Sequence, residues 1–188
     1  MSRWKPDGRG RLEAAALALY GERGFENTTV ADIAARAGLT ERTFFRHFAD
    51  KREVLFWGAP ALQEFLVSAV ASAADSATPI EAVTVALEAA GALFEDRREY
   101  ARQRQIVIAA SAELRERELV KLAGLAGALA DTLRRRGVSD RAASLAGEAG
   151  MAVFKVAFER WVEQTNLRDL PRLIRESLNE LKAVTAGE

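Results

Sequence analysis

The amino-acid sequence points to an all-α protein. Its apolar half is dominated by Ala and Leu, runs of β-branched residues are scarce, and only four prolines occur in 188 residues. Apolar residues also recur at i, i+3, i+4 and i+7 in successive stretches. Many of these stretches open on Ser, Thr or Asp and close on Gly, the start and stop chemistry of helices.

The first helix is expected over about 10–23, with Leu12, Ala15, Ala16, Leu19 and Tyr20 inward and Gly24 ending it. Phe25 closes the small core beneath it. Thr29 stands where an N-cap belongs, and Val30, Ile33, Ala34 and Ala37 make one buried face of a short second helix. Gly38 supplies the left-handed residue that ends it, and Leu39 plugs the corner. Thr40 caps a third helix that Phe44 and Phe48 anchor at i, i+4. Two short helices joined by a Gly-containing turn form the unit that lays its second helix in a DNA major groove.

Asp50 is expected to cap a fourth helix from about Lys51, kinked or broken at Gly58-Ala59-Pro60. Thr78-Pro79 starts another, with Ile80, Val83, Leu87, Ala90 and Phe94 in one stripe. Asp96 to Tyr100 turns the chain. The consecutive Ile106, Val107 and Ile108 suggest burial on several sides. A long helix from about Glu113 ends at Arg134-Arg135-Arg136-Gly137, three cations that complement the macrodipole before a glycine C-cap. Ser139 caps a helix to about Gln164, and Asp169 caps a last one to about Val184.

Composition narrows the function. Zero cysteines exclude disulfides and thiolate metal sites and fit a reducing, cytoplasmic setting. The one histidine, His47, lacks partners at ligand spacing, and it lies inside the DNA-reading helix rather than beside a nucleophile. No glycine-rich phosphate loop is present. Neither an enzyme nor a cofactor is expected. No run of 18 apolar residues occurs, so no membrane partner is expected. The apolar Leu12–Tyr20 is interrupted by Glu13 and reads as an amphipathic helix rather than an export signal. Zero net charge confines DNA affinity to local patches. One such patch is Ser2 to Arg11, where Arg3, Lys5, Arg9 and Arg11 face a single Asp7. It reads equally as an arm that tracks phosphates or as a solvated terminus.

Over residues 11–55 the chain resembles the TetR family of transcriptional regulators. The resemblance rests on Ala15, Phe25, Thr29-Val30, Ile33-Ala34, Ala37-Gly38, Thr43-Phe44-Phe45-Arg46-His47-Phe48, Lys51 and Leu55. It implies about nine helices, a DNA-binding domain over 1–55, and a ligand-binding and dimerisation domain over 56–188. It also implies double-stranded DNA as a partner, a homodimer, and a repressor released by a ligand. Thr29 and Lys51 fall at phosphate-holding positions, and Thr40, Glu41, Arg42 and Thr43 open the recognition helix. Phe45 replaces the family's usual tyrosine, whose hydroxyl bonds a phosphate; an apolar contact with the sugar-backbone or a thymine methyl is left. Arg46 and His47 lie one turn on, where phosphates are met. Arg42 is the best base reader because its planar fork can bond guanine O6 and N7 together. Glu41 serves the helix N-terminus.

For the second domain, Ala149, Phe158, Trp161, Ile174 and Leu178 are candidates for a dimer interface formed by the last two helices of each subunit. Trp57, Leu62, Phe65, Phe94, Ile106 and Phe154 could line an apolar cavity, although each also suits ordinary core. The stretches around Arg102-Gln-Arg104 and Glu113-Leu-Arg115-Glu-Arg117 are similar to TetR-like regulators that answer to acyl-coenzyme A. The expected effector is therefore a small apolar or amphipathic molecule, an acyl-coenzyme A first and an apolar drug or metabolite second. Arg102 and Arg104 would meet phosphates in the first case.

Overall fold

The computed structural model describes residues 8–186. They form nine α-helices and no strand: α1 (Gly8–Arg23), α2 (Val30–Arg36), α3 (Glu41–His47), α4 (Ala59–Ala71), α5 (Pro79–Ala92), α6 (Arg98–Ala110), α7 (Ala112–Arg135), α8 (Asp140–Val162) and α9 (Leu170–Ala186). Short 3-10 turns occupy Glu53–Leu55 and Glu95–Arg97. Gly24, Gly38 and Gly137 take φ of 85°, 66° and 90°, the left-handed conformation expected at these three helix ends. After α2 and α7 the closure is a Schellman pair. Leu39 N donates to Ala34 O at 2.9 Å and Gly38 N to Ala35 O at 3.0 Å; Val138 and Gly137 repeat this on Leu133 and Arg134.

Packing divides the chain into two units. The first joins the chain up to Gly58 with Gln103–Glu118; the second joins Ala59–Arg102 with everything from Leu119 on. Helices α6 and α7 thus each contribute to both.

The helix expected from Lys51 does not form. Asp50 Oδ1 accepts from Arg52 N at 2.8 Å and Glu53 N at 3.1 Å, which tightens the chain into the 3-10 turn. Helix α4 starts only at Ala59, and Pro60 lies in its first turn, where a missing N–H leaves no bond unmade. The stretch Glu53–Ala71 is long and apolar enough, by length and composition, to cross a bilayer. It joins the 3-10 turn, a further turn at 56–58 and α4, whose Leu66 and Val70 are buried in the core of the second unit.

In that core α5, α8 and α9 pack on one another and α4 packs on α5. Small residues on α8 permit the close approach: a Cβ at Gly147 would lie 2.6 Å from Ala126 O, and one at Gly150 would meet Val83. Arg136 does more than complement its own helix. Its guanidinium donates to the carbonyls of Ala71, Ala73 and Ala74 at 3.0, 2.8 and 2.9 Å, capping the C-terminal end of α4. Glu81 accepts from Thr78 N and Oγ1 at the start of α5. At α9, Asp169 Oδ1 accepts from Arg172 N, and Glu95 Oε1 accepts from Leu170 N.

The charged Asp96–Tyr100 divides between the 3-10 turn and the first turn of α6. Val107 and Ile108 are buried as expected, but Ile106 is exposed, because three consecutive helical residues cannot share one buried face.

Candidate nucleic-acid interface

The first unit builds α3 as an outward-facing element on an apolar base. Leu12, Leu19, Ile33 and Phe44 have no exposed surface, and Phe25 and Phe48 are almost as deep. Tyr20 meets Phe25 edge-on at 5.3 Å. Thr29 and Asp32 form a reciprocal capping box: Asp32 N donates to Thr29 Oγ1 at 3.1 Å, and Asp32 Oδ2 accepts from Thr29 N and Oγ1 at 3.0 and 2.7 Å. These bonds, the Thr29 amide's foremost, hold the Asp32 carboxyl below its ordinary pKa. Thr40 caps α3, accepting from Thr43 N at 3.2 Å.

With Phe44 and Phe48 inward, Glu41, Arg42, Phe45 and Arg46 are exposed on the other face of α3. Arg42, Thr43, Phe45 and Arg46 line one shallow depression open to solvent. His47 is less accessible. Its Nε2 is buried with no hydrogen-bond partner among the described residues, so this nitrogen is not turned outward toward a phosphate. Arg9, from the basic arm, lies over the Trp57 ring at 5.1 Å. Arg11 donates to Ala37 O at 3.2 Å, and Arg3, Lys5 and Asp7 fall outside the described residues.

Lys51 is committed inward. Its ammonium donates to Phe25 O at 2.8 Å and Thr28 O at 3.0 Å, with Glu26 O at 3.5 Å, and it lies 4.2 Å from the centroid of the Phe25 ring. The Tyr20 hydroxyl donates to Lys51 O at 2.6 Å, and burial pushes the Tyr20 pKa upward, with Asp50 adding to the shift. In the free protein this lysine therefore serves the loop between α1 and α2 rather than standing free for a phosphate.

The segment 103–118 braces the same unit, in part through Ser111 and Glu118, which nothing in the sequence marks out. Ser111 Oγ donates to Glu26 Oε1 at 2.8 Å, Arg52 pairs with Glu113 at 3.2 Å, and Arg117 pairs with Glu53. Arg104 donates to Leu55 O at 2.8 Å and to Glu118 at 3.0 Å, and lies over the Phe56 ring. In the second unit Arg102 is bonded to Glu99. The two cations expected at coenzyme phosphates are thus already paired.

The other ligand candidates divide between the two units. Leu62, Phe65, Phe94 and Phe154 are half-buried against the core of the second unit, whereas Trp57, Arg104 and the exposed Ile106 belong to the first. Among the dimer candidates, Trp161 and Ile174 are wholly buried within their own chain and Leu178 nearly so. Ala149 and Phe158 are half-covered. Instead α8 exposes Leu145, Ala152 and Val156. Among the described residues no group of three His, Asp or Glu could hold a metal ion.

A helix-turn-helix with a solvent-facing, doubly cationic recognition helix defines a DNA-binding regulator. Residues 12–56 match the bacterial regulatory proteins of the tetR family, and residues 77–186 match the MftR C-terminal domain. The chain belongs to the TetR family of transcriptional regulators, a family of DNA-binding proteins rather than enzymes. It is 37% identical over 81 residues to the transcriptional regulator TcmR of Streptomyces glaucescens, covering 43% of this chain and 36% of that one. It is 45% identical over 47 residues to the repressor KstR2 of Mycobacterium tuberculosis, covering 25% and 24%. The matched stretch thus spans about a third or less of these relatives. Among solved structures, a TetR-family regulator from Syntrophomonas wolfei shares the fold with a TM-score of 0.67 at 18% identity, covering 96% and 95% of the two chains. The repressor FadR of Thermus thermophilus, in complex with lauroyl-CoA, gives 0.55 at 23% identity and 93% coverage of each. SmeT in complex with triclosan gives 0.65 at 21% identity, covering 94% and 90%.

Proposed function

We propose that this protein is a ligand-responsive repressor that binds a pseudo-palindromic operator as a homodimer in the cytoplasm. The observation that carries the reading is α3, which keeps Arg42, Phe45 and Arg46 in solvent while Phe44 and Phe48 root it in the core. An exposed fork such as Arg42 suits guanine, and a cation one turn on suits a phosphate. Residues 1–55 act as the DNA-binding domain and 56–188 as the ligand and dimer domain.

Dimerisation is supported by the outer face of α8. Leu145, Ala149, Ala152 and Val156 recur at i, i+4, i+7 and i+11, an apolar seam at the period that pairs two helices. The effector is a small apolar or amphipathic molecule that enters among Leu62, Phe65, Phe94 and Phe154. An acyl-coenzyme A is the first class to screen, since FadR was solved with lauroyl-CoA; an apolar drug is the second, since SmeT was solved with triclosan.

The test is selection from a random duplex pool, followed by titration of the enriched operator in the presence of lauroyl-CoA or triclosan. The reading expects a two-fold symmetric consensus and a weakening by one of the two ligands, worth about 1–3 kcal/mol of coupling. A pool that shows no enrichment overturns it.

A further inference from the structure

Of the three phenylalanines on α3 and at its C-cap, Phe44 and Phe48 fill the space beneath the helix. The third, Phe45, keeps 56% of its surface accessible. It is nevertheless held in place: its ring stands edge-on to Phe44, centroids 5.5 Å apart and planes at 84°, and Phe44 has no exposed surface. An apolar ring is therefore fixed in solvent on a face where a charged or polar side chain would cost less to expose.

Around Phe45 the other walls of the depression are Arg42, Thr43 and Arg46. The Thr43 hydroxyl is already engaged with that of Thr40, 3.0 Å away. Arg42 and Arg46 are neighbours across one helical turn, and among the described residues neither has an ion-pair partner. The site is apolar in the middle and cationic at both ends.

The major groove of DNA offers one apolar group among its hydrogen-bonding edges, the C5-methyl of thymine, flanked by purine acceptors and phosphates. We infer that Phe45 takes the C5-methyl of one thymine in each half-site, with Arg42 and Arg46 aligned on the acceptors to either side. The inference rests on the reading that α3 enters the major groove, and it names the base feature that Phe45 selects.

The experiment uses the intact protein and the duplex enriched by selection. Each thymine is replaced in turn by deoxyuridine, which removes the methyl and leaves every hydrogen-bonding edge unchanged. One position per half-site should weaken binding roughly threefold to fivefold, the effect of one buried methyl. At that position Phe45→Ala should bind thymine and deoxyuridine equally, Phe45→Leu should keep part of the difference, and a 5-methylcytosine–guanine pair should bind more tightly than its unmethylated form. The deoxyuridine scan of the wild-type protein stands even where a variant fails to fold. Indifference to deoxyuridine at every position of a well-bound operator would overturn the methyl contact alone and move Phe45 to the sugar-backbone. A pool without any enriched sequence would overturn the DNA-binding reading and this inference together.

Discussion

The ammonium of Lys51 lies 2.8 Å from the carbonyl oxygen of Phe25, and the same nitrogen reaches Thr28 O at 3.0 Å. One side chain thereby satisfies the carbonyls of the loop between α1 and α2, where no helix can do so. The loop in turn delivers Thr29 to the capping position that starts α2. A residue at a family phosphate position thus acts in the free protein as the clamp of the helix-turn-helix.

Lys51→Met should therefore lower stability by about 1–3 kcal/mol, the cost of leaving buried carbonyls without a charged donor. Thermal unfolding reads this loss. The slope of log K against log salt for operator binding should stay unchanged, because no phosphate contact is removed; a slope reduced by about one would return Lys51 to the DNA.

Arg42→Ala should relax the preference at one base position and lose about 1–3 kcal/mol on the preferred sequence only. Arg46→Ala should weaken all sequences alike and reduce the salt slope by about one. Fluorescence anisotropy on the consensus and on single-base variants separates the two, and an unchanged ranking in Arg42→Ala would remove it as a base reader.

Leu145→Glu or Ala152→Glu should yield folded monomers with reduced operator affinity, as two linked half-sites become one. Trp161→Ala should behave differently, costing about 3–5 kcal/mol of stability because the indole is wholly buried within its own chain. Sedimentation velocity together with thermal unfolding distinguishes the two classes of variant.

Acid should loosen the first unit. Arg52 foremost, with the amides of Glu53 and Arg52, holds the Asp50 carboxyl below the ordinary range. A carboxyl whose folded pKa is depressed stabilises above its unfolded value, about 3.9, and that contribution is lost as pH falls through the folded value. Thermal unfolding from pH 6 to pH 3 should show a loss that Asp50→Asn flattens. Tyr20 acts in the opposite sense. Its pKa is raised by burial, so its contribution is complete below about 10 and is lost as pH rises beyond that. Tyr20→Phe should reduce the alkaline loss.

Gly147→Ala should destabilise the second unit by about 1–3 kcal/mol, since the added Cβ would meet the Ala126 carbonyl at 2.6 Å. Gly127→Ala, with nothing within 4 Å, is the control and should be neutral or stabilising.

By itself the sequence determined the helix-turn-helix and most of the helices, though not the 3-10 turn that replaces the helix expected from Lys51. Caps such as Thr29, Thr40 and Asp169, glycine stops such as Gly38, and the i, i+3, i+4 spacing of Val30, Ile33 and Ala34 are local codes, each written within a few residues. Only the tertiary structure decided what the long side chains touch. Lys51, Arg104 and Arg136 each bond carbonyls remote in sequence, separated by 26, 49 and 62–65 residues, and no periodicity marks such a partner. The same holds for apolar faces. From the sequence of α8 Trp161 reads as interface and Leu145 does not stand out, yet Trp161 is sealed inside its chain and Leu145 is open. A helix states which residues share a face; which face is buried depends on what folds back against it.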